Sequence, residues 1–313
     1  MIVRERPSGL RLFLVLRGSI LSRIRFTLIV NTLIATLVTL SHGDLFDLKI
    51  TLTAIPFTLI GLPLAIFLGF RNNAAYDRYW EGRKLWGEMV HKSRSLSRQC
   101  QSLIISAEPA AARQGLQDVR VRMIYRAIAF AHALRQQLRD ISDPSEFKSL
   151  LQEQEWRQSA KCSNVPDFLM RQMGLDLGSC LREGKLEACL AASIDDTLSA
   201  LTAAAASCER IKSTPIPFSY TLLLHRTAYM YCFLLPFGLV DSIGFMTPFV
   251  VAIVAYTFLG LDALGDEIEE PFGLDANDLP LDAICRAIEI NLRESLGDER
   301  IPAPLDAVGY CLT

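Results

Sequence analysis

Four stretches of this chain are almost free of charge. Phe26–Gly43, Ile50–Phe70, Ser213–Val240 and Ser242–Leu261 hold one formal charge among them, Arg226. A run of about 20 apolar residues crosses the ~30 Å hydrocarbon layer as a helix, the form that satisfies its own backbone groups in lipid. The windows therefore predict a membrane protein with spans over 24–43, 50–70, 219–240 and 243–261. Four such windows in one chain argue against the alternative, that they are core helices of a large soluble fold. Averages conceal this partition, since 50% of the 313 residues are hydrophobic and 21% charged, which sits at the upper edge of soluble proteins. With 32 basic against 34 acidic residues, nucleic acid is excluded as the main partner. So much apolar surface also excludes disorder.

Orientation follows from the placement of lysine and arginine. Arg4, Arg6, Arg11, Arg17, Arg23 and Arg25 precede the first span, and Arg71, Arg78, Arg83 and Lys84 follow the second. The Ser41–Lys49 link sets one lysine against Asp44 and Asp47, and the 241–244 link has no basic residue. Both termini and the segments 71–212 and 262–313 are thus expected on the cytoplasmic side. The first window lacks a small-residue cleavage site and reads as a retained span. The eight cysteines include no CxxC pair, so neither a zinc site nor a disulfide framework is indicated.

Between the windows the pattern is helical. A helix continues out of the second span from Asn73 to about Ile105, and others are expected over Leu116–Arg139, 145–157, 167–183, 186–212 and Leu281–Leu296. No strand-period segment appears. The fold class is all-α, with 1–313 as a single domain: a bundle of spans and a large cytosolic helical region.

In the second window Leu62, Ile66 and Phe70 recur every four residues and form one apolar face, ending at the polar residues Arg71, Asn72 and Asn73. That face suits either a dewetting pore constriction opening into a polar vestibule or a lipid-facing or packing stripe. His225 and Arg226 lie about two turns inside the third window, where a charge is costly and usually paired. The third and fourth windows should form an antiparallel hairpin turning near Ile243, which sets Arg226 at the depth of Asp262. An Arg226–Asp262 ion pair is the expectation.

The run IFLGFRNNAAYDRYWEGRKLWG (Ile66–Gly87) resembles the bestrophin family of ion channels in its bacterial form. So do CERI (Cys208–Ile211), TPIPFSYTLLLHRT (Thr214–Thr227) and DEIEEPFGLDANDLPLDAI (Asp266–Ile284). The resemblance covers nearly the whole chain in order. It implies a homopentamer in the bacterial inner membrane, with the second span of each subunit lining one axial pore. Leu62, Ile66 and Phe70 take the positions of the family's apolar neck. A second, cytosolic constriction is implied on the helix before CERI, with Cys189 the nearest match. Animal members bind calcium at an acidic cluster after Pro-Phe-Gly; here Asp275, Asn277 and Asp278 follow Pro271, Phe272 and Gly273, interrupted by Leu274 and Ala276. Calcium wants six to eight oxygens, so this segment reads either as a calcium site or as a loop capping the last helix.

The expected function is passive conduction of small monovalent ions, chloride or sodium, an apolar neck discriminating poorly by charge. A membrane-anchored metalloenzyme using His225 and the 262–270 carboxylates is one alternative, although no HExxH, phosphate loop or nucleophile motif supports it. A membrane scaffold with a cytosolic partner is the other.

Overall fold

The computed structural model describes residues 1–3, 9, 15, 18–41, 44–45, 48–49 and 53–313. Arg4, Arg6, Arg11 and Arg17, with the window ends 42–43 and 50–52, lie outside the described residues. Helix α1 covers Leu21–Leu40. A two-residue antiparallel hairpin follows, β1 (Asp44–Leu45) with β2 (Leu48–Lys49). Helix α2 then runs unbroken from Ala54 to Leu103, carrying Pro63 inside it.

Helix α3 (Val119–Leu138) starts where the Asp118 carboxylate accepts from the Arg120 N–H, satisfying one of the free donors of a first turn. A 3₁₀ turn at Pro144–Leu150 leads to α4 (Glu153–Ser159). The single helix expected over 145–157 is thus broken, because Leu151 is extended at φ −121° and ψ 155°. Successive helical residues point about 100° apart, and the extended link lets both Leu150 and Leu151 be buried. Helix α5 (Val165–Arg182) is capped by Asn164, whose side chain accepts from the Asp167 N–H. Then come α6 (Ala188–Ser213), α7 (Phe218–Ile243), a 3₁₀ turn at Gly244–Met246, α8 (Thr247–Glu269) and α9 (Leu281–Ser295). Apart from the short hairpin and isolated bridges near the termini, the described residues are helix and connecting loop. The all-α expectation holds.

Among the described residues three helical stretches are long and apolar enough to cross a membrane: Leu21–Leu40, Ile55–Leu103 and Phe218–Glu269. The last contains both α7 and α8. Gly244 turns the chain between them at φ 52°, a left-handed conformation that costs glycine little and other residues more.

By its internal contacts the chain divides into two compact units. The first holds Met1–Val3, Trp80–Thr214 and Phe272–Thr313; the second holds Arg4–Tyr79 and Pro215–Pro271. In the first unit α3 is buried almost all round, from Val121 to Leu138, which marks a central core helix rather than an amphipathic surface one. Its arginines are paired: Arg122 with Asp176 at 2.8 Å, Arg126 with Asp176 at 2.9 Å and with Glu155, and Arg139 with Asp282 at 2.7 Å. The two chain ends meet in this unit, where Val3 N–H donates to Tyr310 O and Leu312 N–H to Met1 O, each at 2.8 Å.

In the second unit α1 packs on α7 and α8. Ile24 joins Cys232, Ala255, Leu259 and Ala263, and Ala35 joins Phe57, Leu235 and Val251. The start of α2 lies on α7 through Leu64 and Leu68 against Leu224 and Ala228.

Candidate functional site

The apolar face of α2 is set by the rotation of that helix. Leu64, Leu68, Arg71 and Ala75 recur at three- and four-residue steps, and all four are buried. At about 100° per residue Arg71 stands about 180° from Leu62. Leu62, Ile66 and Phe70 consequently face away from the unit's interior, and they are 67%, 47% and 60% exposed. An apolar stripe left largely uncovered by the described residues is open to lipid, another subunit or a pore.

Arg71 corrects the sequence expectation. Placed there in a polar vestibule, it is instead 0% exposed. Its Nη1 donates to Asp262 Oδ1 at 2.9 Å, its Nη2 donates to Asp266, and Glu269 Oε2 lies at 3.6 Å. Asn72 is also turned inward, donating from Nδ2 to Leu261 O at 3.1 Å. Of the three expected vestibule residues only Asn73 is exposed. Helix α8 can approach this closely because residue 265 is glycine: a Cβ there would stand 2.5 Å from Asn72 Oδ1.

The expected Arg226–Asp262 ion pair is not formed. The Asp262 carboxylate is buried and already holds Arg71 through Oδ1, while Oδ2 lies 2.6 Å from His225 Nδ1. The residue on Asp262 lies at the expected depth on α7, one position before Arg226. His225 points along α7 toward α8 with its ring 4.3 Å from that of Tyr229, whereas Arg226 is exposed. Reasoning from sequence missed Arg71 as Asp262's main partner, along with Asp266 and Glu269. A signal was available, since Arg71 lies seven residues after Leu64 on the buried seam. Further tethers join the same elements: Arg78 Nε donates to Glu269 O at 3.0 Å, and Ile216 N–H to Glu269 Oε1 at 3.0 Å. A guanidinium shared among carboxylates on another helix fixes where α2 points and sets up no bond-making chemistry.

The remaining expected sites lie apart from this cluster. Cys189 is exposed on the first turn of α6, its Sγ donating to Glu187 Oε2 at 3.8 Å. Asp278 is buried and accepts from the Asp275 N–H at 2.7 Å, so this carboxylate is turned into its own loop. Among the described residues no group of three or more His, Cys, Asp or Glu side chains could hold a metal ion.

The first unit holds a second polar cluster. His132 lies between Glu146, at 3.3 Å from Nδ1, and Glu289, at 3.4 Å from Nε2. Burial disfavours the charged imidazole, yet the two carboxylates outweigh it and raise the His132 pKa. Against the same opposition from burial, His132, Gln136 and Arg135 hold the Glu146 carboxyl down at about 2. These groups form one charged cluster inside the helical body, in which His132 Nδ1 and Arg135 Nε are left without a hydrogen-bond partner.

Comparison with known proteins accounts for this architecture. Residues 1–294 match the family of bacterial and fungal bestrophin proteins. The chain belongs to the bestrophin family. A voltage-dependent anion channel-forming protein of Mesorhizobium japonicum is 44% identical over 299 residues, covering 95% of this chain and 93% of that one. The voltage-dependent anion channel-forming protein YneE of Escherichia coli is 41% identical, with 97% of each chain covered. Among solved structures, a bacterial bestrophin homologue from Klebsiella pneumoniae superposes with a TM-score of 0.81 at 38% identity, covering 88% of this chain and 99% of that chain. This bestrophin is a membrane-embedded channel protein and not an enzyme.

Proposed function

We propose that this bestrophin forms a homopentameric channel in the bacterial inner membrane. Five copies of α2 line one axial pore, and Leu62, Ile66 and Phe70 form its neck. The observation that carries the reading is the split character of α2. One face is locked into the subunit by Leu64, Leu68 and Arg71, while the other leaves three apolar side chains on successive turns largely uncovered by the described residues. A ring of such residues passes ions by transient wetting and otherwise stays dry.

Each subunit crosses the membrane four times in this reading, through α1, the first part of α2, α7 and α8, and both termini are cytoplasmic. Hydrogen bonding between residues 1–3 and 310–312 supports an even number of crossings, because it holds both chain ends on one side. Cys189 is retained as a second constriction. The permeant species are small monovalent ions, for which the neck acts by radius and dewetting.

Flux from liposomes holding the purified protein tests this. Phe70→Ala and Ile66→Ala widen and weaken the dry segment, and each should raise flux by about tenfold, equivalent to about 1.4 kcal/mol of barrier. Flux that ignores both substitutions, or is absent from wild type and both variants alike, would remove the pore from the proposal.

A further inference from the structure

We propose that Asp77 is the residue that biases which sign of ion this pore passes. The inference rests on the neck reading above and deepens it. With Leu62 as zero and about 100° per residue, Ile66 and Phe70 stand at about 40° and 80°, Asn73 at about 20° and Asp77 at about 60°. Asn73 and Asp77 therefore continue the face that carries the neck, and both are exposed.

The cations nearest the neck do not share that face. Arg71 stands about 180° away and Arg78 about 160°. Arg71 is fully buried among Asp262, Asp266 and Glu269, and Arg78 donates to Glu269 O. The first formal charge that an ion meets on leaving the neck is consequently the Asp77 carboxylate. It lies about 10 Å past Phe70 at 1.5 Å per residue. Among the described residues no salt bridge takes up this carboxylate, so its charge is not cancelled locally.

Five such carboxylates around one axis create a negative potential at the inner mouth of an apolar, low-dielectric constriction. Rings of Asp or Glu side chains select cations by this means, and clefts of one sign concentrate the opposite ion. The apolar neck adds no discrimination by sign. The ring's reach is one Debye length, about 10 Å at 0.1 M salt and about 3 Å at 1 M.

The test is the cation-to-anion permeability ratio of the full-length protein in planar bilayers, read from reversal potentials in asymmetric potassium chloride. Asp77→Asn should lower the ratio at least about threefold and Asp77→Lys should carry it further toward chloride, whereas Asp77→Glu should keep the wild-type value. The wild-type ratio should itself fall toward that of Asp77→Asn when the mean salt is raised from 0.1 to 1 M. That series needs no variant and stands if a substituted chain does not assemble. A ratio unmoved by Asp77→Asn, or a wild-type ratio indifferent to salt, overturns the inference. If the channel still conducts and still responds to Phe70→Ala, either result leaves the neck reading standing; absence of flux in every form defeats both.

Discussion

The apolar-helix unit and the helical body both bury arginine, but they are held together differently. In the body, α3 is surrounded by other helices, and its shape and apolar bulk determine its rotation: Val121, Ile124, Ile128, Phe130 and Leu134 are all buried, together with the paired Arg126 and Arg135. In the apolar unit, large residues such as Phe26, Leu33, Phe249 and Ile253 remain exposed. Lipid is as apolar as leucine, so hydrophobic burial cannot tell an inward face from an outward one there. The cluster of Arg71 with Asp262, Asp266 and Glu269 supplies the missing distinction. Only one rotation of α2 places a guanidinium among those acids, and that rotation turns Leu62, Ile66 and Phe70 outward.

The sharpest way to break this comparison is Arg71→Met. Removing the cation leaves buried carboxylates uncompensated, a loss of about 3–5 kcal/mol. Thermal unfolding and size-exclusion profiles in detergent should both show it, and Arg71→Lys should recover part of the loss. If Arg71→Met melts like wild type, the rotation of α2 is set by packing after all. Next in size is a matched pair of phenylalanines. Phe130→Ala empties a core position and should cost about 3–5 kcal/mol, whereas Phe249→Ala, on an exposed face, should change stability by less than about 0.5 kcal/mol. Equal losses would mean that both units are held by tight packing.

The smallest effect is a dependence on pH confined to the helical body. The raised His132 pKa makes its stabilisation complete below the ordinary value of about 6.5 and progressively lost as pH rises through the folded value. Glu146 works in the other direction: its contribution is complete above 4.5 and lost as pH falls toward about 2. Arg135 and Arg293 also face these carboxylates. The wild-type melting temperature should therefore drop between pH 6 and pH 9 by about 2–4 °C more than that of His132→Gln. Parallel profiles would show that the imidazole contributes nothing through its charge.

Much of the fold was legible because its signals are local. The apolar windows and the helical patterns between them each act within a few residues, and most helices begin and end close to where those patterns do. The neck stripe was legible for the same reason, as a four-residue repeat within one helix. The helix over 145–157 failed because burial of the adjacent Leu150 and Leu151 depends on what packs against them.

The sequence by itself determined that this chain is helical, that it carries long uncharged spans and that one of them bears the apolar stripe, since all three follow from which residues are neighbours along the chain. Only the tertiary structure decided that Asp262 holds Arg71, a residue 191 positions away, and that Arg226 is left out. Contact between helices depends on the rotation of each about its own axis, and a shift of one residue turns a side chain by about 100°. That angle separates Arg226 from His225 beside the Asp262 carboxylate.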